Sequence, residues 1–461
     1  MADSTGVLTV GAFGERGWYN APVVEPRIIP REAHPISRRD IDPDALKVLY
    51  RLRQFHHTAY LVGGGVRDLL LSRRPKDFDV GTSAHPYQVK KLFRNCWIIG
   101  RRFRLAHVKF GQNVIEVATF RRQVEAGEEV VQDGVPAPDP TTPEGEHLIH
   151  HDNTFGTPEE DAFRRDFTIN ALFYDIATFS IIDYVSGLDD LRAGIVRSIG
   201  DPDVRLREDP VRMIRAIALA SRLDFKIEAR LLEAIRANRH EITKSSPPRL
   251  LDEYYKILRA GASEKTFRAL ADVGLLEPIS TELHHGADES LWRSLAELDA
   301  YRGRFQSAPD TLTNPVLLGA LLVPLGLSLF RRRAEDRGEE VNGNVWGEPE
   351  RRRAPAPTLG ALPIARRDFE RLQQLLGLQH RLADLSGSHR SRSAMHRSVF
   401  REALTWFEIH GKDQVIVDYW TARLADGPQP QDQAADGEAG PFRRRRRRRR
   451  RRRHPAPTTG H

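Results

Sequence analysis

The feature that most constrains the fold is an apolar strand that runs through three glycines directly into a helix, at residues 61–71. Glycines at such a junction let backbone N–H groups approach an anion, and the dipole of the following helix favours negative charge there. Gly63, Gly64 and Gly65 therefore predict a phosphate loop, in which Arg67 on the first helical turn pairs with the same phosphate. Taken alone, a glycine-rich turn is more often a plain strand–helix connection.

Two aspartates follow this loop at strand spacing. In Lys76-Asp77-Phe78-Asp79-Val80, alternate residues share a strand face, so Asp77 and Asp79 are predicted to project side by side while Phe78 and Val80 face the core. Adjacent carboxylates repel each other unless a cation neutralises them, and carboxylates with a phosphate co-ligand suit Mg²⁺. The pattern predicts metal ligation by Asp77 and Asp79, in a two-metal site that activates an attacking hydroxyl and stabilises a leaving pyrophosphate.

A third carboxylate is expected beside this pair, and two residues compete for the role. Glu116 lies in an apolar strand pattern, where a polar side chain needs a partner. Asp166 follows Arg164 and Arg165 and would otherwise be a helix cap or an ion-pair partner of these arginines. The sequence leaves the choice open.

Up to about residue 200 the chain alternates strand and helix patterns, which indicates a mixed α/β arrangement. Strand patterns lie at 59–62, 78–80, 97–99, 106–110, 114–119 and 181–184, and helix patterns at 43–55 and 87–93. Residues 1–40 are predicted to be a flexible leader. Residues 123–161 hold eleven acidic residues and no Lys or Arg, and are predicted to form a mobile loop before structure resumes at 166–172.

Beyond residue 203 the pattern is helical. Helices are predicted at 211–223, 229–239, 250–260, 264–272 and 317–329, and again from 366 to about 424, with a charged loop or linker at 331–358. Residues 443–453 are eleven consecutive arginines, so the net charge of +8 leaves −3 for the rest of the chain. Such a run is predicted to be disordered and to hold phosphates without regard to sequence.

Composition removes several other classes of function. The single cysteine, Cys96, excludes a disulfide framework and a cysteine-built zinc site, and we expect it to be a buried strand residue. The histidine pairs at 56–57, 150–151 and 284–285 have no metallo-hydrolase spacing and are expected at surface or loop positions. No apolar run has the roughly 18 residues of a membrane span, and the N-terminus shows no basic-then-apolar signal-peptide pattern. With a single cysteine, the default prediction is a reducing, cytoplasmic location.

Together these motifs resemble the class II nucleotidyltransferases of the polymerase β superfamily, which include bacterial poly(A) polymerases and tRNA CCA-adding enzymes. Besides the loop and the aspartate pair, the resemblance depends on residues 164–171 and on Arg207-Glu208-Asp209-Pro210-Val211-Arg212. It implies an α+β fold, with a polymerase-β-like nucleotidyltransferase head of mixed sheet and helices followed by an all-α neck and body and a disordered Arg-rich tail. The domains are then a leader (1–40), a catalytic head (41–200), a neck that binds base and RNA (201–265), a helical body (266–425) and the tail (426–461).

The resemblance also implies roles for individual residues. Asp77 and Asp79 would hold the metals, residues 63–67 the triphosphate, and Arg165 and Asp166 the ribose side. Asp209 and Arg212 would read the Watson–Crick edge of the incoming base; three residues apart at a helix start, they share a face and supply an acceptor and fixed donors. Contacts with RNA are expected at Arg101, Arg102, Arg443, Arg448 and Arg453.

The expected reaction is template-independent addition of adenylate from ATP to RNA 3′ ends, with Mg²⁺ as cofactor. Residues 98–108 and Phe173-Tyr174 resemble the poly(A) polymerase branch, and family poly(A) polymerases often end in a basic tail like this one. Two alternatives remain open: a CCA-adding tRNA nucleotidyltransferase, and a non-catalytic RNA-binding protein that acts through its arginine tail. Protein partners in RNA decay are not identifiable from the sequence.

Overall fold

A computed structural model of the protein describes residues 25–100, 104–122, 155–326, 359–385, 393–411 and 413–426. These residues form two compact units, one ending at Gly377 and the other starting at Leu378. The first unit contains a large sheet and most of the helices. No helix in the described ranges is both long enough and apolar enough to cross a membrane.

The large sheet has eight strands in the order β1-β8-β7-β2-β3-β6-β5-β4. Neighbouring strands are antiparallel except for β3 and β6, which are parallel. The strands are β1 (Arg27–Ile29), β2 (Ala59–Val62), β3 (Asp79–Thr82), β4 (Cys96–Ile99), β5 (Leu105–Phe110), β6 (Asn113–Thr119), β7 (Leu172–Asp175) and β8 (Ser180–Asp183). Two short parallel strands, β9 (Ile195–Val196) and β10 (Lys226–Ile227), form a second sheet.

The two faces of the large sheet differ because buried and exposed residues alternate along its strands. On β5 and β6 the buried apolar residues are Ala106, Val108, Ile115 and Val117. Helices α1 (Pro43–Gln54) and α3 (Pro86–Leu92) pack against this part of the sheet. The intervening residues, including Glu116, point to the opposite face.

Besides α1 and α3, the first unit contains helices that alternate with the strands up to about residue 200 and then make up most of the chain. They are α2 (Gly64–Leu70), α4 (Pro158–Phe163), α5 (Gly187–Ala193), α6 (Pro202–Glu208), α7 (Val211–Leu223), α8 (Ala229–Asn238), α9 (Pro247–Ala260), α10 (Ser263–Asp272), α11 (Leu276–Ile279), α12 (Thr281–His285), α13 (Glu289–Gly303), α14 (Asn314–Leu322) and α15 (Arg366–Leu376). Several start with a proline in the first turn, which fits there because its missing N–H has no helical acceptor. The second unit contains helices Gln379–Ala383, Phe400–His410 and Gln414–Asp426.

Three predictions about local structure are wrong. Residues 27–29 belong to the predicted leader but form strand β1, which pairs with β8. The predicted loop 123–161 ends too late, because α4 begins at Pro158. The helix predicted at 317–329 runs instead from Asn314 to Leu322, although it is buried as expected. Cys96 is buried in β4, as predicted. The loop at 331–358, the arginine tail and most of the acidic loop lie outside the described residues.

Candidate active site

Two carboxylates face each other across the parallel strands β3 and β6. Asp79 opens β3, and its direct Cα partner on β6 is Glu116. Neighbouring strands lie about 4.8 Å apart and register partners point to the same face. The pair therefore forms a small acidic site at the start of β3, directly beside Val62, the last residue of β2.

The electrostatics of Asp79 reflect this crowding. Burial, followed by the charges of Glu116 and Asp77, raises the pKa of Asp79 to about 6, and the nearby Arg165 opposes the rise. Asp77 precedes the strand, with a side chain that is 68% exposed and an ion pair to Lys76 at 3.2 Å. The predicted two-residue strand face is thus corrected: β3 starts at Asp79, and Phe78 is half-buried instead of lying in the core.

The residues present fit a hard divalent cation. Asp77, Asp79 and Glu116 are carboxylates whose mutual repulsion Arg165 only partly offsets, and oxygen donors of this kind suit Mg²⁺. Within the described ranges, no three His, Cys, Asp or Glu side chains are close enough to hold an ion by themselves.

Asp166, the rival third carboxylate, has a different environment. It forms an ion pair with Arg215 at 2.6 Å and accepts hydrogen bonds from the Phe167 N–H at 2.8 Å and from Asn170 Nδ2 at 3.2 Å. Burial raises the pKa of Asp166, but Arg215, Asn170 and the other partners outweigh it and lower the pKa overall. This is the environment of a structural carboxylate, so the geometry favours Glu116 as the third member of the acidic site.

The glycine loop lies directly against the aspartates. Gly63 has a positive φ of 72° and caps α2, a conformation that favours glycine. A Cβ on Gly65 would lie 3.3 Å from the backbone oxygen of Asp77, so a larger residue would press on the segment that carries this aspartate. At Gly63 an added Cβ would lie 3.1 Å from Arg165 Nη1. The loop thus joins the aspartate segment on one side and Arg165 on the other.

Arg67 lies on α2, directly after the glycines as expected, but its guanidinium has partners that the sequence analysis did not predict. Its side chain is buried, and its guanidinium donates to Asp68 Oδ1 at 2.7 and 2.8 Å and to Asn170 Oδ1 at 2.5 Å. A Cβ on Gly64 would lie 3.3 Å from Arg67 Nη2, so the guanidinium lies against the glycine loop, and its pairing with a phosphate stays a prediction. The hydrogen bond from Arg67 to Asn170 connects α2 with the turn before β7.

Arg165 is a second cation that lies against the loop, and an aspartate fixes its orientation. Buried Asp161 accepts from Arg165 Nε at 3.2 Å and Nη2 at 2.9 Å, and from Arg164 Nε at 2.9 Å. Burial raises the pKa of Asp161, but Arg165 and Arg164 lower it by more. The Arg165 guanidinium also lies 5.3 Å from the centroid of the Phe173 ring.

Sequence reasoning missed Asp161 because it placed this residue in the mobile loop. Two signals could have found it. Thr157 and Glu160 form a capping box at the start of α4, which is a recognisable helix start. Asp161 then precedes Arg164 and Arg165 by three and four residues, the spacing at which helical side chains meet.

The predicted base-reading residues lie at the junction of α6 and α7. Asp209 pairs with Arg249 at 3.0 Å through Oδ2, while its Oδ1 is buried and has no hydrogen-bond partner. Arg212 Nη1 donates to the backbone oxygen of Arg205 at 3.0 Å and lies 3.4 Å from Glu208 Oε2. Asp209 and Arg212 thus have separate partners, and Asp209 keeps a free acceptor.

Other predicted positions cannot be placed. Arg101, Arg102, Arg443, Arg448 and Arg453 lie outside the described residues, as does the pair His150-His151. The remaining histidine pairs are exposed or half-buried: residues 56–57 follow α1, and 284–285 end α12.

Three family models match the chain. Residues 59–197 match "Poly A polymerase head domain", residues 224–286 match "Probable RNA and SrmB- binding site of polymerase A", and residues 356–454 match "Polymerase A arginine-rich C-terminus". The first match contains the glycine loop and every carboxylate of the acidic site. The third contains the arginine run.

Individual relatives agree with these matches. "Poly(A) polymerase I" of Salmonella typhi is 48% identical over 277 residues, which are 59% of this chain and 58% of that protein. The "CCA-adding enzyme" of Lactobacillus helveticus (strain DPC 4571) is 36% identical over 240 residues, 52% of this chain and 56% of that protein. The chain thus spans little more than half the length of these curated relatives.

The fold has a counterpart among solved structures. The Bacillus stearothermophilus CCA-adding enzyme in complex with CTP superposes with a TM-score of 0.56 at 24% identity, over 84% of this chain and 83% of that one. This likeness establishes a shared fold and confirms the predicted α+β class, with a mixed-sheet head followed by helices.

Proposed function

We propose that this chain, which belongs to the tRNA nucleotidyltransferase/poly(A) polymerase family, adds adenylate residues from ATP to the 3′ end of RNA without a template. The observation that carries the proposal is the acidic site, in which Asp79 and Glu116 are register partners directly beside the glycine loop. A cytoplasmic location, where both substrates occur, belongs to the same proposal.

The chemistry requires a hydroxyl nucleophile, a triphosphate and a way to neutralise charge. The RNA 3′-hydroxyl gives up its proton to solvent while its oxygen attacks the α-phosphorus of ATP. The bond between the α-phosphorus and the bridging oxygen breaks, and pyrophosphate leaves with that electron pair. Two Mg²⁺ ions held by Asp77, Asp79 and Glu116 would lower the pKa of the 3′-hydroxyl and offset the charge on the leaving pyrophosphate. The acidic site is then a binding site for cations and for the attacking end of the RNA.

The remaining residues bind and orient the nucleotide. Arg165, held by Asp161 and placed at Gly63, is available to the phosphate or ribose side of ATP. The free Oδ1 of Asp209 is an acceptor for the amino group of a base, and Arg212 supplies donors beside it. An unpaired buried acceptor is destabilising by about 1–3 kcal/mol, so a bound base with an amino group would relieve it.

Two facts favour poly(A) over CCA as the product. The poly(A) polymerase relative is more similar to this chain than the CCA-adding one, at 48% against 36% identity. The arginine run lies within the match to the arginine-rich C-terminus. Its charges would bind phosphates without regard to sequence, which suits an RNA substrate without a fixed shape. CCA addition remains the second candidate, because adenine and cytosine both carry an amino group that Asp209 can bind.

A primer assay tests the proposal. The protein is incubated with ATP or CTP and either unstructured RNA or tRNA that lacks its CCA end. We expect long products with ATP on unstructured RNA, and no extension by Asp79→Asn. Asp189→Asn is the matched control, because Asp189 is an exposed aspartate on α5 that pairs with Arg27 of β1 at the sheet edge.

Each alternative has its own signature in this assay. Efficient use of CTP on tRNA, stopping after a short addition, would identify a CCA-adding enzyme. RNA binding without incorporation of either nucleotide would identify a non-catalytic RNA-binding protein. Normal extension by Asp79→Asn would mean that the acidic site is not the catalytic centre.

A further inference from the structure

The sheet face that carries the acidic site continues beyond it across two more strands. Cross-strand partners run in one row: Asp79 on β3 faces Glu116 on β6, Glu116 faces His107 on β5, and His107 faces Trp97 on β4. Because register partners point to the same side of a sheet, the indole of Trp97 lies on the catalytic face. His107 Nε2 lies 3.4 Å from Glu116 Oε1, so the His107 side chain lies between Glu116 and Trp97.

This end of the face is apolar and open to solvent. Trp97 is 54% exposed, Ile99 is 49% exposed and Val114 is 42% exposed. Lys109 is exposed on the same face of β5, two residues from His107. On the opposite face Cys96 is buried near Lys90 of α3, so that helix covers the other side of β4. We call Trp97, Ile99, Lys109 and Val114 the β4 platform.

The strand order gives the platform a direction relative to the nucleotide. The glycine loop follows β2, on one side of Asp79, whereas Glu116 and the platform lie on the other side, along β6, β5 and β4. A triphosphate bound at the loop would occupy the β2 side of Asp79. The attacking hydroxyl would then have to bind on the β6 side. The RNA that carries this hydroxyl must approach from the platform side.

We propose that the β4 platform binds single-stranded RNA just upstream of its 3′ end, with a base stacked on Trp97. The inference rests on the proposed function, since it assigns a subsite to the RNA substrate. Three strand spacings separate Trp97 from Asp79, about 14 Å, and stacked nucleotides rise about 3.4 Å each. The platform therefore contacts the RNA about four nucleotides from the reacting end.

The chemistry of the platform matches this occupant. An exposed aromatic ring stacks on any base and so tolerates every sequence, while Lys109 supplies a positive charge for the neighbouring phosphate. A protein strand that paired with the edge of β4 would need neither the cation nor continuity with the acidic site. Because the row of side chains runs without a break from Trp97 to Asp79, RNA fits the platform better than a protein strand does.

Steady-state kinetics with a short primer test the stack. The primer is an oligoadenylate of about six nucleotides, and the salt concentration is high enough to weaken RNA binding by the arginine tail. Under these conditions we expect Trp97→Ala to raise the KM for RNA about tenfold. The KM for ATP should stay unchanged, and Trp97→Phe should restore most of the loss. With a primer of about two nucleotides, too short to reach the platform, the variant should behave like the wild type. Tyr87→Ala is the matched control, because Tyr87 is 60% exposed on α3, behind the sheet.

Binding without catalysis separates this inference from the proposed function. Titration of the same oligoadenylate, without ATP and with EDTA, should quench tryptophan fluorescence in the wild type and markedly less in Trp97→Phe. If the wild type extends RNA but Trp97→Ala has an unchanged KM for RNA, the platform does not bind RNA, and the proposed function is unaffected. If RNA quenches the fluorescence of Trp97 but the protein extends no RNA, the proposed function is refuted, and the platform is still an RNA-binding site. An equal change in the KM for ATP, or quenching that persists in Trp97→Phe, would also overturn the platform.

Discussion

The acidic site should destabilise the protein that contains it, and this can be measured with Asp79→Asn. The folded protein raises the pKa of Asp79 from 3.8 to about 6, chiefly through burial and then through Glu116 and Asp77. Each pKa unit corresponds to about 1.4 kcal/mol. Without a bound cation, the ionised carboxylate therefore lowers the free energy of unfolding by about 3 kcal/mol at pH 8. The amide of asparagine carries no charge and removes this penalty.

The pH dependence of the effect has a defined sign. Below pH 3.8 the aspartate is protonated in both the folded and the unfolded protein, so it makes no difference to stability. Between pH 3.8 and about 6 the unfolded chain releases the proton while the folded protein keeps it, and stability falls as the pH rises. Above about pH 6 the loss is complete. The stability gap between Asp79→Asn and the wild type should thus be about 3 kcal/mol at pH 8 and close near pH 4.

Urea unfolding in EDTA, followed by circular dichroism, gives the two free energies. Glu116→Gln serves as a comparison, because it removes only the second-largest cause of the raised pKa. It should give a smaller gain, and almost none when Asp79 is already asparagine. Adding Mg²⁺ should stabilise the wild type and not Asp79→Asn. A variant that unfolds at the same or lower urea concentration at pH 8, or a gap that does not narrow toward pH 4, would refute the reasoning.

Three further changes test other contacts of the site. Asp161→Asn removes the charged partner of Arg165, so we expect a loss of stability of about 3 kcal/mol and a higher KM for ATP; an unchanged KM would mean that Arg165 does not bind the nucleotide. Gly65→Ala places a Cβ 3.3 Å from the Asp77 carbonyl oxygen, so kcat should fall while the urea midpoint changes little, and an unaltered kcat would contradict this coupling. Deleting residues 443–461 should flatten the dependence of RNA affinity on salt but preserve kcat at saturating RNA; an unchanged slope would show that the tail does not bind phosphates.

Local sequence signals predicted much of the site because its parts are local. The glycine turn, the aspartates and the strand around Glu116 each depend on residues that are neighbours in the chain. The same holds for α4, because the capping box at Thr157 marks its start even within an acidic, proline-rich stretch. Composition misled there because eleven acidic residues indicate a loop only on average.

The partners of the charged residues could not be predicted, because they come from distant parts of the chain. Asp166 pairs with Arg215, 49 positions later, and this burial in an ion pair is what separates it from the acidic site. Arg67 has the position expected of a phosphate ligand, but Asn170 and the adjacent Asp68 bind its guanidinium. Neither arrangement has a signature in residue spacing.

The decisive unpredicted element is the position of β6 in the sheet. Alternation along a strand shows which residues share a face, but it does not show which strands are neighbours. Strand β6 lies between β3 and β5, parallel to β3, and only this order brings Glu116 beside Asp79. A slip of one residue would turn Glu116 toward the core and expose Ile115 and Val117, which are now 2% and 1% exposed. The burial of these two apolar side chains therefore fixes Glu116 beside Asp79, and the same register aligns His107 and Trp97 with it.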